Sequence, residues 1–200
     1  AGMIQDKKLS IGPVQTKPGS SVKRGKKFEL TFHLDARFDN PFDPRDIRVD
    51  CVFILPDRTT VTVPGFFFTP FSYYPEDKKT KRGSPVWKIR FTPQRVGTYN
   101  YKIIVRNKNV TAVSPEGTMY CTYNNYKGFV RRSRSRPASF EFDSQEPFYP
   151  VGLNLSDVIS LPSRPIPPNR FADYVDILTQ LANSGGNFAR LRSDSYYIPI

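Results

Sequence analysis

Apolar and polar residues alternate most cleanly along residues 87–107. Trp87, Ile89 and Phe91 interleave with Lys88 and Arg90. Beyond a break at 93–97, Tyr99, Tyr101, Ile103 and Val105 interleave with Asn100, Lys102 and Ile104. A period of two places successive side chains on opposite faces of a strand, one dry and one mostly wet. The stretch reads as two strands joined by a short turn. A sheet wet on one face needs a second sheet over its dry face, so the pattern predicts a β-sandwich.

The same grammar extends upstream. Phe28, Leu30, Phe32 and Leu34 are expected inward, with Glu29, Thr31 and His33 outward. Ile47, Val49, Cys51, Phe53 and Leu55 form the next dry set. Val61 and Val63 stay in phase until Pro64-Gly65, which reads as a bulge or a switch of sheet. Shorter strands are expected at 14–16, 119–122, 127–130 and 139–142, the last closing the sandwich. Roughly seven strands over about 140 residues, separated by Gly and Pro turns, fit an immunoglobulin-like sandwich over residues 1–143.

Past residue 145 the period changes. Residues 148–157 are a short apolar run with a polar end, and 161–168 are Pro-rich. Phe171, Tyr174, Val175, Leu178, Leu181 and Ala182 then recur at helical spacing. Asn169 is placed to cap this helix, and Gly185-Gly186 to stop it. Residues 187–192 form a second strand. Strand, helix, strand is a βαβ unit, expected to be right-handed with parallel strands. One such unit cannot cover both faces of its sheet, and a full (β/α)8 barrel takes about 250 residues. Residues 144–200 therefore read as the first strands and helix of an incomplete TIM barrel. The fold expected is mainly β, an immunoglobulin-like sandwich followed by the first βαβ unit of a barrel. The remainder would come from a longer polypeptide or a completing chain.

Composition narrows the partners. The chain holds 19 Pro, 16 Phe and 11 Tyr, which suits aromatic strands between rigid turns and not long helices. No apolar run reaches the roughly 18 residues of a membrane-spanning helix, and no membrane partner is expected. The opening residues Ala1-Gly2-Met3 carry no typical leader and read as a processed end or a cloning remnant. A net charge of +12 suits nucleic acid, an anionic lipid face or an acidic polysaccharide, unless further chain rebalances it. Nucleic acid is the weakest of these, since there is no zinc-finger spacing, glycine-rich phosphate loop or helix-turn-helix. Cys51, Cys121 and the solvated His33 do not make a metal site, and no cofactor is expected. Cys51 reads as a buried thiol. A bridge to Cys121 depends on whether their strands face each other.

Two surface features carry other chemistry. Residues 66–74 hold six aromatics and are followed by Asp77, Lys78, Lys79, Lys81 and Arg82. That is either a Phe-rich strand with a solvated loop, or a stacking platform beside an anion funnel. The tract RRSRSRP at 131–137 reads as an exposed hairpin tip, or as a contact for an acidic partner.

The phrases NPFDPRDIRVDCVFILPD, TVPGFFF and WKIRFTPQRVGTYNYKIIV, with PFYPVGLNL and the Gly-Gly-Asn-Phe-Ala-Arg-Leu segment, carry a resemblance. The chain resembles the N-terminal half of multidomain glycoside hydrolases in which an immunoglobulin-like domain of unknown function precedes a TIM barrel of clan A. The resemblance implies that Arg190, in the pattern Asn187-Phe188-Ala189-Arg190, holds or orients a catalytic carboxylate. A guanidinium does this by a bidentate grip that favours the ionised form. A salt bridge that only stabilises the barrel is the alternative. Asn154 and Asp157, at or just past the carboxyl end of the first barrel strand, become candidate contacts for sugar hydroxyls. Asp157 could equally be a loop cap, and Arg192 and Asp194 are weaker candidates.

Hydrolysis of a glycoside needs two carboxyl groups across the scissile bond, about 5–5.5 Å apart in retaining enzymes and about 6.5–9.5 Å in inverting ones. The resemblance implies a retaining pair at the ends of strands four and seven, which lie outside residues 1–200. The catalytic residues are therefore not named here, and residues 1–200 alone are expected to be inactive. The function expected is the accessory sandwich and barrel start of a glycoside hydrolase acting on O-glycosidic bonds of a polysaccharide or oligosaccharide, an acidic one if the positive field persists. Such a protein would be secreted or periplasmic. A non-catalytic carbohydrate- or protein-binding module is the alternative, resting on residues 66–82 and the arginine tract.

Overall fold

The two strands of residues 87–107, which dominate the sequence pattern, do not form a hairpin. They lie in different sheets. The computed structural model describes residues 9–74, 79–108, 110–155 and 170–191. In chain order the first elements are β1 (Ser10–Ile11), β2 (Gln15–Lys17), β3 (Ser21–Lys23), β4 (Phe28–Phe32), β5 (Leu34–Asp35), β6 (Ile47–Ile54), β7 (Thr60–Pro64) and β8 (Phe66–Phe68). They continue with β9 (Phe71–Tyr74), β10 (Lys79–Arg82), β11 (Val86–Phe91), β12 (Gly97–Asn107), β13 (Val110–Val113) and β14 (Gly117–Thr122). The last are β15 (Val130–Arg132), β16 (Phe140–Phe142), β17 (Pro147–Phe148), β18 (Gly152–Asn154), α1 (Arg170–Asn183) and β19 (Phe188–Arg190). The chain divides into two units, residues 1–70 with 82–128 and residues 71–81 with 129–200.

The first unit is a β-sandwich. One sheet has the order β2-β4-β11-β8, and the other β3-β14-β12-β6-β7, with β13 also paired to β12. Their dry faces meet in one core. Phe28, Leu30, Phe32, Trp87 and Ile89 come from the first sheet, and Ile47, Val49, Phe53, Tyr99, Tyr101, Ile103 and Val105 from the second. Phe53 stacks on Phe91 across the core at 4.2 Å between ring centroids, nearly parallel at 14°. Each large side chain removed from water in this way contributes about 1.5–3 kcal/mol. The dry sets expected from alternation are buried as read, except that Leu34, Leu55, Val63 and Phe91 are only half-buried and Val61 is exposed. His33 is exposed, as expected.

Pro64-Gly65 is a switch of sheet. β7 pairs with β6 in one layer, and β8 pairs with β11 in the other. Cys51 and Cys121 are both buried and free. They lie on β6 and β14, with β12 between them, opposite Ile103 and Gly97 respectively. Two strand spacings amount to about 10 Å, beyond the roughly 7 Å Cα separation a disulfide tolerates. Burial pushes the Cys51 thiol up to about 12.

Glu29 departs from its expected outward, wet setting. Its residue is only 4% exposed, because Lys88 and Arg90 of β11 fold over it. The cost of burying a carboxylate is met by ion pairing.

Phe140–Phe142, expected to close the sandwich, pairs instead with β15 and β17 in a three-stranded sheet of the second unit. The arginine tract starts in β15, where Arg131 and Arg132 pair with Glu141 and Phe140 of β16, and continues into the loop between the two strands, as the hairpin reading predicts. Helix α1 ends in a Schellman motif. The Gly186 N–H donates to the Leu181 carbonyl and the Gly185 N–H to Ala182, with Gly185 at φ 82°. Strands β18 and β19 on either side of the helix pair in parallel. Asn169, its expected N-cap, lies outside the described residues.

Candidate functional site

Asn154 and Arg190 are Cα partners across the parallel pair β18–β19, each the last residue of its strand. Both are exposed. Two short strands hold this register through a clamp built on Asn187. Its Oδ1 accepts the Val151 N–H at 2.8 Å, and its Nδ2 donates to the Tyr149 carbonyl at 3.0 Å. The Asn187 N–H donates to the Val151 carbonyl at 2.9 Å, and the Leu155 N–H to the Arg190 carbonyl at 2.8 Å. Gly152 lies so close to its partner strand that a β-carbon there would overlap the Phe188 carbonyl, so only glycine permits this pairing.

Of the residues singled out from sequence, the fold thus brings Asn154 and Arg190 side by side. Asp157, Arg192 and Asp194 lie outside the described residues. Arg190 forms no salt bridge with a described residue, so its guanidinium stands open at the strand end. Chemically the pair offers the amide donor and acceptor of Asn154 and the planar donor fork of Arg190. Asn187, which sequence reading valued only as the start of Asn-x-x-Arg, sets the register.

Within the aromatic run, Phe66–Phe68 divide between two faces. Phe67 turns inward, with its ring centroid 5.6 Å from that of Trp87. Phe66 and Phe68 turn outward beneath cations. Lys88 Nζ lies 4.7 Å from the Phe68 centroid, and the Arg90 guanidinium 5.0 Å from that of Phe66. The same cations hold Glu29. Lys88 Nζ donates to Oε1 at 2.5 Å, and Arg90 Nε to Oε2 at 2.7 Å. Burial pushes the Glu29 carboxyl up, but the hydrogen bonds from Lys88 and Arg90 and the charges of Lys88 and Lys27 outweigh it and bring it down to about 2. These groups satisfy one another in a closed layer, which favours the strand reading for Phe66–Phe68 over an open stacking platform. In the arginine tract, Arg131 pairs with Asp143, while Arg132, Arg134 and Arg136 are exposed. Among the described residues no group of three or more His, Cys, Asp or Glu could hold a metal ion.

Residues 21–106 match the family model of a domain of unknown function, DUF5060. No curated protein matches the chain. Among solved structures, the chain is similar to a "putative glycoside hydrolase" from Bacteroides vulgatus ATCC 8482, at 20% identity and a TM-score of 0.49. The likeness covers 86% of this chain and 28% of that one, so this chain spans less than a third of that protein's length.

Proposed function

We propose that the chain is the accessory sandwich and the barrel start of a glycoside hydrolase acting on O-glycosidic bonds of a polysaccharide. The observation that carries this reading is the parallel strand–helix–strand unit that puts Asn154 and Arg190 together at the carboxyl ends of adjacent strands, the end at which barrel enzymes build their sites. The family resemblance of the quoted phrases and the match of residues 21–106 to DUF5060 add support. In this reading β18 and β19 are the first two barrel strands, the sandwich within residues 1–143 is an immunoglobulin-like domain, and residues 144–200 begin the barrel. Leu153 and Phe188 are 48% and 46% exposed, and further barrel elements would cover them. The open Arg190 fork orients a catalytic carboxylate supplied by a later strand, and Asn154 bonds a sugar hydroxyl. A polysaccharide substrate places the protein outside the cytoplasm, secreted or periplasmic.

The test is hydrolysis of a panel of neutral and acidic polysaccharides by the encoded polypeptide that contains the whole barrel, beside residues 1–200 alone. The long form is expected to release reducing ends and the short form none. Arg190→Gln in the long form is expected to lower kcat about 100-fold or more, within the range for removing one preorganised electrostatic group. A long form with no barrel, or one inactive on every glycan, would overturn the proposal.

A further inference from the structure

A groove of about 420 Å³ opens in the first unit where the chain crosses from β7 to β8. That volume falls in the range of roughly 300–1,000 Å³ typical of small-ligand sites. Its wall combines Phe42, Phe66, Phe67 and Trp87 with Arg48 and Asp50. Phe42 stands out because it is 76% exposed, while its ring meets Phe67 edge-on at 5.9 Å. Exposed aromatics on irregular chain are usually mobile, yet this loop is built to stand still. Asn40 Oδ1 accepts the Phe42 N–H at 2.9 Å, and Asp46 Oδ2 accepts the N–H groups of Asp39 and Asn40 at 2.5 and 2.8 Å. Asp43 Oδ1 accepts the Arg45 N–H at 2.9 Å, and Lys108 Nζ lies 3.6 Å from Asp46 Oδ1. Such Asx caps fix a turn locally. A ring already held in place loses little freedom on meeting a ligand.

The polar side of the groove is equally ordered. Asp50 Oδ2 accepts from Arg48 Nε at 2.7 Å and from Arg106 Nη1 at 3.1 Å. The Arg48 side chain remains 57% exposed, so its other N–H donors face solvent. A fixed ring beside a half-free guanidinium matches a pyranose, which has an apolar C–H face and a rim of hydroxyls. An extended peptide fits less well. Pro41, Pro44 and Pro64 line the groove, and proline has no N–H with which to pair a peptide carbonyl.

We infer that this groove binds one or more pyranose rings of an oligosaccharide, stacked on Phe42 and hydrogen-bonded by Arg48. The inference deepens the polysaccharide-directed reading above but is measured separately, by binding to a chain expected to have no hydrolytic activity. Trp87 is the chain's single tryptophan and lines the groove, so its emission reports occupancy. The 200-residue chain is titrated with cellohexaose, mannohexaose, xylohexaose and hexagalacturonate. At least one is expected to shift Trp87 emission saturably, and the neutral and acidic arms identify the class. Phe42→Ala is expected to weaken that binding at least about tenfold, Phe42→Tyr to preserve it and Arg48→Gln to weaken it about fivefold. Ligand-free emission and circular dichroism of each variant should match the parent. No response to any of the four sugars, undiminished binding by Phe42→Ala, or saturable binding of a proline-rich peptide in place of sugar would overturn the assignment.

Discussion

Asn187 and Val151 hold each other twice: Asn187 Oδ1 accepts the Val151 N–H, and the Val151 carbonyl accepts the Asn187 N–H. This reciprocal clamp sits one residue before each of two short parallel strands. It fixes the register that leaves Asn154 beside Arg190.

Removing the side chain should loosen that register. Asn187→Ala gives up the side-chain bonds to Val151 and Tyr149, at about 1 kcal/mol each for exposed partners. The second unit is expected to lose about 1–2 kcal/mol. Hydrogen exchange at the Val151 amide should accelerate, while amides of β12 keep their protection. Unchanged Val151 exchange would remove Asn187 from the role.

Gly152→Ala should be more severe. The added carbon meets the Phe188 backbone carbonyl, which cannot move aside as a flexible side chain would. A loss of about 3 kcal/mol or more is expected, in the range of overpacking and strain effects. Trp87 emission, which reports the first unit, should melt as in the parent, while circular dichroism of the second unit changes.

Acid sensitivity should trace partly to Glu29. Its carboxyl is depressed from 4.5 to about 2 in the folded protein, so between those values the unfolded chain binds more protons and stability rises with pH. The contribution is complete above about pH 4.5 and is lost as pH falls through 2. Glu29→Gln leaves Lys88 and Arg90 facing each other without a counter-charge and should cost about 3 kcal/mol at pH 7. Urea melts at pH 7, 4 and 2.5 should show the gap between parent and variant narrowing with acidity. A gap independent of pH would count against the ion cluster.

Neither thiol should react in the native state. Cys51 is fully buried with its thiol pushed up to about 12, and burial also raises the Cys121 thiol. A thiol reagent at pH 8 should titrate about zero groups in the folded chain and both after denaturation, since only the exposed thiolate reacts. Fast labelling of either residue without denaturant would contradict the placement.

Alternation alone located the core strands, because strand geometry ties a period of two directly to burial. Phe28, Leu30, Ile89, Tyr99 and Ile103 needed no knowledge of neighbours. The helix stop at Gly185-Gly186 was legible for a similar local reason, since a left-handed cap tolerates few other residues. Glu29 was not legible, because its burial comes from Lys88 and Arg90, which reach it only once β4 and β11 pair. The groove at Phe42 was missed on the same ground. NPFDPRD announces a turn but not what the turn faces, although a lone Phe between two prolines and acidic caps was a usable signal.

By itself, the sequence determined which residues are dry, where the strand period gives way to a helical one, and that a strand containing Arg190 follows the helix. Those properties depend on local backbone geometry and nearest neighbours along the chain. Only the tertiary structure decided that the strands of residues 87–107 part into opposite sheets, that Pro64-Gly65 changes layer, that Cys51 and Cys121 cannot meet, and that Phe140–Phe142 leaves the sandwich. Strand partners are chosen by contacts between residues far apart in the chain, and an alternating pattern is the same whichever strand lies beside it.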